Sequence, residues 1–504
     1  MFRALGLMVV ACATMGCQSD PSAAGAVPLE WAACPFDLTD LDTARIRCGY
    51  VTVPENRERD RGRRLRLAFA VIHPSAPGNA DATPILQLSG GPGGTGFPSI
   101  FLRNVAPSLA VDRPIVTFDQ RGVGYSEPTL CPNRLREDLR LSALSLGGAE
   151  LRALKKRADL ACRDQLVSAG VDLQAYHTRA IADDVEDLRR ALGYEQWILM
   201  GSSYGGALAQ AVMDRHPLTV QAALLIVPGR LDDAAWFDIV RAVGGTLRAL
   251  SESCLAAPAC PHELSDLEAQ FYAVAEGLIH NPMTVGADSS LFGGPLFTVN
   301  PADFVEIMAE VTSRNWELPF APRVIQAFRD RDSAVVSAAI AQFLGGWDSL
   351  SFSPGLQMLV KCHDMAVSDS RQRWQRVRDQ FPLEGEFEFL LDICDEVPTG
   401  RASRSEREPA VSRIPTLILS GKFDDRSTPA YGAGIMERFR TSRQIVFSNA
   451  GHVLPSGSTW ECFRQIVDSF VRNPSIFPDG ACASGAATLK PSSDLPAWAK
   501  QPGG

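Results

Sequence analysis

The segment Gly201-Ser202-Ser203-Tyr204-Gly205 constrains this chain more than any other, because it stands between an apolar run, 197–200, and a helix-forming run, 207–215. A serine with glycine two positions away on either side, at the junction of a strand and a helix, fits a sharp turn whose backbone is strained and closely packed. Such a turn lifts the middle side chain, Ser203, above the end of the strand. It also demands a sheet whose strands are followed by helices, and so parallel pairing. On its own the pattern is weak, since Gly and Ser gather in any strand-to-helix turn; the flanking strand and helix make it a candidate nucleophile.

The rest of the chain supports that sheet. Short apolar or β-branched runs recur at 51–53, 65–72, 85–88, 115–118, 223–227, 416–419 and 444–447. Between the later ones lie helical patterns such as 178–192, with Ile181, Val185, Leu188 and Leu192 at helical spacing and Asp183, Asp184 and Glu186 near its start. Between 231 and 412 the alternation stops, and helix-like stretches, 303–312 and 333–344 among them, are broken by Gly and Pro clusters. These boundaries predict a core in two parts, 34–230 and 413–482, an inserted helical cap over 231–412, and a flexible Pro/Ser/Ala/Gly-rich tail over 483–504. With 49 basic against 58 acidic side chains, a formal charge of −9 and no Lys/Arg block, the chain lacks the positive footprint that nucleic-acid binding requires.

Residues 4–15 form an apolar stretch after Met1-Phe2-Arg3, too short to cross a bilayer core of about 30 Å but suited to a signal peptide. Gly16-Cys17 resembles the cleavage box of bacterial lipoproteins. The expectation is a signal peptide over 1–16, lipid on Cys17 and a tether over 17–33. Of the 12 cysteines, loss of Cys12 with the signal and lipidation of Cys17 leave an even ten, with no Cys-x-x-Cys pair to suggest zinc or a thioredoxin motif. An even set in an exported chain points to disulfides; the count leaves their pairing open.

Chemistry requires a base and an acid beside Ser203. Of seven histidines, His73, His177, His216, His262, His280 and His363 fall in strand ends, helices or the insertion, whereas His452 follows the 444–447 strand in a loop. There it is placed to reach Ser203. The preceding strand, 416–419, leads to Gly421-Lys422-Phe423-Asp424-Asp425, with Asp424 the preferred carboxylate. Ser203, Asp424 and His452 stand in the chain order of the α/β-hydrolases. Ser89-Gly90-Gly91-Pro92-Gly93-Gly94, after the 85–88 strand, lacks the Gly-Lys-Ser/Thr of a phosphate loop and suits an oxyanion hole built from the amides of Gly91 and Tyr204. His262-Glu263 begins a zinc-protease pattern but has no second histidine, so no metal and no organic cofactor is implied.

Together, Gly90-Gly91-Pro92-Gly93, the string from Asp119-Gln120-Arg121-Gly122 to Ser126, the Ser203 turn, Gly421-x-x-Asp424 and Gly451-His452 resemble the proline iminopeptidase and tripeptidyl aminopeptidase branch of the α/β-hydrolases. The likeness runs from about Cys34 to Cys482. It implies the α/β-hydrolase fold, a mostly parallel eight-stranded sheet with a large helical cap. The secreted members' cysteines imply bonds Cys34–Cys48, Cys131–Cys162, Cys254–Cys260, Cys362–Cys394 and Cys462–Cys482. Asp119 and Arg121 are expected to be structural. Ser89 and Asp425 depart from the family, which usually has His and Pro there. An exopeptidase must also bind a free α-ammonium in a low-dielectric pocket, where an unpaired cation is costly, so cap carboxylates are the expected partners: Asp364, Glu306 or Glu310. The expected activity is that of an exported serine exopeptidase acting near the free N-terminus of short peptides, in the periplasm or cell envelope or else secreted, and touching membrane only through its lipid. A carboxylesterase or lipase with the same triad is the alternative.

Overall fold

In the computed structural model the described residues are 27–39, 41–59, 61–76, 82–98, 101–109, 111–231, 239–256, 260–345, 350–366, 372, 375, 376, 383, 393–408, 411–455, 457–484 and 496–499. The signal segment 1–16 and Cys17 lie outside them.

Nine strands form the main sheet: β1 (Leu29–Ala32), β2 (Ile46–Pro54), β3 (Arg64–Ile72), β4 (Ile85–Leu88), β5 (Ile115–Phe118), β6 (Trp197–Ser202), β7 (Val220–Ile226), and, after a hairpin in the insertion, β10 (Thr416–Gly421) and β11 (Ser442–Phe447). Their order is β1-β2-β3-β5-β4-β6-β7-β10-β11. The first three join antiparallel, as does β3 to β5, and every pair from β5 to β11 is parallel. All the later strands therefore end at one edge, which is where ligands bind in such sheets.

The strands alternate as a sheet buried on both faces must. In β6, Trp197 and Leu199 join the core beneath the helices Thr178–Leu192 and Tyr204–Arg215, while Ile198 and Met200 join the opposite core with Phe463, Ile466 and Phe470 of the helix Trp460–Arg472. Each such side chain contributes roughly 1.5–3 kcal/mol when fully buried. The five disulfides join Cys34 to Cys48, Cys131 to Cys162, Cys254 to Cys260, Cys362 to Cys394 and Cys462 to Cys482, the same pairs that the resemblance implied.

The structure redraws several boundaries. Residues 29–32, assigned to the tether, are edge strand β1, held antiparallel to β2, so the sheet has nine strands where eight were expected; unlike the fully buried four-residue strands β4 and β5, Leu29-Glu30-Trp31-Ala32 is not buried and gives no continuous apolar run. The insertion is not wholly helical, since β8 (Met283–Gly286) and β9 (Leu296–Val299) pair as a hairpin. It also divides in two. Residues 240–343 build a separate core from five helices, whereas Leu356, Leu359, Val360, Ile393 and Val397 return to the sheet's own core. Within the tail, Trp498 packs edge-on against Phe343 of the cap, ring centroids 5.4 Å apart, and its Nε1–H donates to Glu317 at 2.9 Å.

Candidate active site

Ser203 sits between β6 and the helix Tyr204–Arg215 at φ 55°, ψ −124°, a conformation rare for a residue with a side chain. The surroundings over-determine it. Ser203 N–H donates to Ile226 O at 3.0 Å, and its own carbonyl accepts from Gly206 and Gly229 at 2.8 Å each. A Cβ on Gly205 would lie 2.0 Å from Leu88 O, and one on Gly201 2.2 Å from Gly205 O. Both glycines are therefore required by close approach.

The loops after β10 and β11 bring their side chains to the same edge. His452 Nε2 lies 3.1 Å from Ser203 Oγ, and its Nδ1 lies 2.9 Å from Asp424 Oδ1. An ionised carboxylate only accepts, so Nδ1 carries the proton and Nε2 is left to accept from the serine. Asp424 Oδ1 also accepts from the amides of Arg426 and Ser427 at 2.9 and 2.8 Å, which holds the carboxylate in place beside the imidazole. Asp425 points elsewhere, to the hydroxyls of Thr312 and Ser313. Gly91 and Tyr204 both face the space in front of Ser203; Tyr204 N–H is the first of its helix and has no intrahelical acceptor.

The Asp119 string braces this floor. Asp119, fully buried, accepts from Thr95 Oγ1, Gly96 N and Tyr125 N at 2.7–2.8 Å, and burial still pushes its carboxyl up to about 6. Gln120 Nε2 donates to Ser89 O at 3.1 Å, holding the glycine loop. The buried Arg121 makes two bonds to Asp184 at 2.6 and 2.7 Å and donates to the carbonyls of Glu55 and Ala175. None of the three reaches Ser203.

The serine opens onto a cavity of about 560 Å³, within the range of small-molecule sites. One wall is the helix Pro301–Ser313, whose residues 302, 303, 306 and 310 all face inward. Glu310 is committed to Arg426 at 2.7 Å and Arg314 at 2.6 Å. Glu306 makes no hydrogen bond or ion pair among the described residues and exposes its side chain to the cavity; poor solvation within the cavity walls, with the like charge of Glu310, raises its pKa against the pull of Arg426 and Lys361. Burial likewise pushes Lys361 down to about 7, opposed by Glu306, and Asp303 up to about 7.

Asp364 needs correction as a candidate for the substrate amine. Its carboxylate accepts from Thr178 N at 3.0 Å, Thr178 Oγ1 at 2.5 Å and His363 Nδ1 at 2.7 Å, while Thr178 Oγ1 also meets Tyr204 Oη at 2.9 Å. It is spent tying the residues around Cys362 to the nucleophile turn, away from the cavity. Sequence reasoning missed the opposite wall, where Arg134 pairs with Asp159 at 2.5 Å and Asp138 at 3.3 Å, and Lys155 with Asp138 at 3.5 Å. No local motif marks those charges. Arg426, two positions after Asp424, directly follows the Gly421–Asp425 segment already in view.

Residues 83–268 match the family model of the alpha/beta hydrolase fold, and residues 386–482 match that of TAP-like proteins. A tripeptidyl aminopeptidase of Streptomyces lividans is 24% identical over 466 residues, covering 88% of this chain and 84% of that one. The serine protease Hip1 of Mycobacterium tuberculosis is 23% identical over 487 residues, covering 90% of each. Among solved structures, a proline iminopeptidase from Mycobacterium smegmatis aligns with 84% of this chain and 98% of its own at 16% identity, with a TM-score of 0.42.

Proposed function

We propose that this chain, which belongs to the α/β-hydrolases and carries their TAP-like C-terminal segment, is a serine aminopeptidase releasing short N-terminal peptides, with three residues the best fit. His452 takes the proton of Ser203 as Oγ attacks the scissile carbonyl, Asp424 holds the imidazolium, and the amides of Gly91 and Tyr204 receive the oxyanion. His452 then protonates the leaving amine, and water, activated by the same histidine, releases the acyl group.

The observation that carries the reading is the contrast between Glu310 and Glu306 along one helix. The helix meets the triad loops at Thr312 and Ser313, and its nearer carboxylate, Glu310, is already neutralised by two arginines. The open one, Glu306, lies six residues from Thr312, about 9 Å at 1.5 Å per residue. Three extended peptide residues span about 10 Å. A free ammonium at Glu306 thus matches a scissile carbonyl three residues away, and the relatives named as tripeptidyl aminopeptidases agree with that length.

Five disulfides support work outside a reducing cytoplasm, and export with lipid on Cys17 completes the reading; the mass of the mature N-terminal peptide tests that part. Activity is tested with aminoacyl, dipeptidyl and tripeptidyl anilides, each with a free or acetylated amine, beside 4-nitrophenyl acetate. Turnover should favour the free tripeptidyl compound and fall sharply on acetylation. Turnover of the ester alone would make the chain an esterase.

A further inference from the structure

The turn after β10 carries a second buried carboxylate that the mechanism does not use. Asp425, 3% exposed, accepts from Thr312 Oγ1 at 2.8 Å and from Ser313 Oγ at 3.4 Å, the last two residues of the helix Pro301–Ser313. The histidine loop meets the same helix end. Ser313 O accepts from Val453 N at 2.9 Å, and a Cβ on Gly451 would come within 2.4 Å of Thr312 O and 2.6 Å of Ser313 O. One turn back, Glu310 takes the Arg426 guanidinium. The two loops that supply Asp424 and His452 are thus fastened to one end of the helix that carries Glu306.

We propose that Asp425 is a positioning residue that sets the register between Glu306 and the Ser203–His452–Asp424 centre, so that the ammonium and the scissile carbonyl of one substrate are engaged together. This rests on the aminopeptidase reading. The tether is separable from the helix itself. Thr312 Oγ1 lies 2.8 Å from Met308 O, and Ser313 Oγ 2.6 Å from Ala309 O, so without Asp425 both hydroxyls have acceptors within their own helix. The helix keeps its fold and loses one of its ties to the turn after β10, while the Glu310–Arg426 and Val453–Ser313 contacts remain. A misplacement of about 1 Å between binding and reacting groups costs on the order of 10²-fold in rate, and only a substrate long enough to touch both groups feels it.

The test compares Asp425→Ala, Asp425→Asn and the double variant Thr312→Val, Ser313→Ala on a free-amine tripeptidyl anilide and on 4-nitrophenyl acetate. Asp425→Ala should lower kcat/KM for the tripeptide by roughly 10- to 100-fold and acetate turnover by less than about 3-fold. Asp425→Asn, which still accepts from Thr312, should recover most of the loss. If Asp425→Ala fails to fold, the double variant removes the same tether from the helix side and should reproduce the selective loss. An equal loss on both substrates, or none on either, overturns the register. Wild-type protein that turns over acetate and no free-amine peptide overturns the aminopeptidase reading instead, and the register with it.

Discussion

The floor and the roof of the cavity are built on different principles. The floor is backbone: three loops at the ends of β6, β10 and β11, with a strained serine, two close-packed glycines and a carboxylate pinned by two amides. The roof is charge: Asp303, Glu306 and Glu310 on one helix, Arg134, Asp138, Lys155 and Asp159 on two others, and Lys361 on a fourth segment. Reaction geometry tolerates little displacement, so it is assigned to the stiffest part of the sheet. On the proposed function, recognition falls to side chains that can differ without disturbing that frame.

The contrast breaks first at the floor. Ser203→Ala should lower kcat by on the order of 10⁴-fold or more on peptide and ester substrates alike, with the thermal midpoint within about 2 °C of wild type. Full turnover of either substrate would mean that another group performs the chemistry. At the roof the expected effect is smaller and selective. Glu306→Gln removes a charge-assisted bond of about 1.5–3 kcal/mol, which is roughly 10- to 100-fold in kcat/KM, for free-amine peptides only. Equal loss on acetylated peptides would dissociate Glu306 from the amine.

The smallest effect lies where the two meet, and it concerns stability. Burial pushes the Asp425 carboxyl up to about 6 against Arg426, which lowers it, while an unfolded aspartate titrates near 3.9. The folded state holds that proton more tightly, so wild type loses stability as pH rises from about 4 to about 6 and does not regain it above. Asp425→Asn cannot ionise; its midpoint relative to wild type should therefore climb over that interval, by on the order of 2 °C. Melting curves at pH 4, 5, 6 and 7 check this, and a difference that stays flat with pH would discount a buried, titrating carboxyl.

The floor was largely legible because its constraints are local. Glycine spacing around Ser203 reports contacts made within a few residues, and His452 stood out as a loop histidine after a strand. The choice between Asp424 and Asp425 was harder, since adjacent aspartates differ only in which way the turn directs them. In the structure Asp424 faces His452 and Asp425 faces the cap. Asp364 misled because nothing near it in the chain reveals that Thr178, 186 residues away, takes its carboxylate. Strand β1, the β8–β9 hairpin and the division of the insertion escaped for a related reason: four-residue strands that keep residues exposed, as β1 and β8 do, give no continuous apolar run of the kind that marks β4 and β5, and the core a helix joins depends on what lies opposite its apolar face.

By itself the sequence determined the parallel part of the sheet, the order of Ser203, Asp424 and His452 along it and the set of cysteines, because strand periodicity, glycine at a strained turn and residue counts are local or additive properties. Only the tertiary structure decided which acids are free. Glu306, Glu310, Asp364 and Asp425 are the same chemistry in sequence, and they differ only in whether an arginine, a hydroxyl or open cavity stands within reach of the carboxylate, a contact that exists only once distant segments have packed.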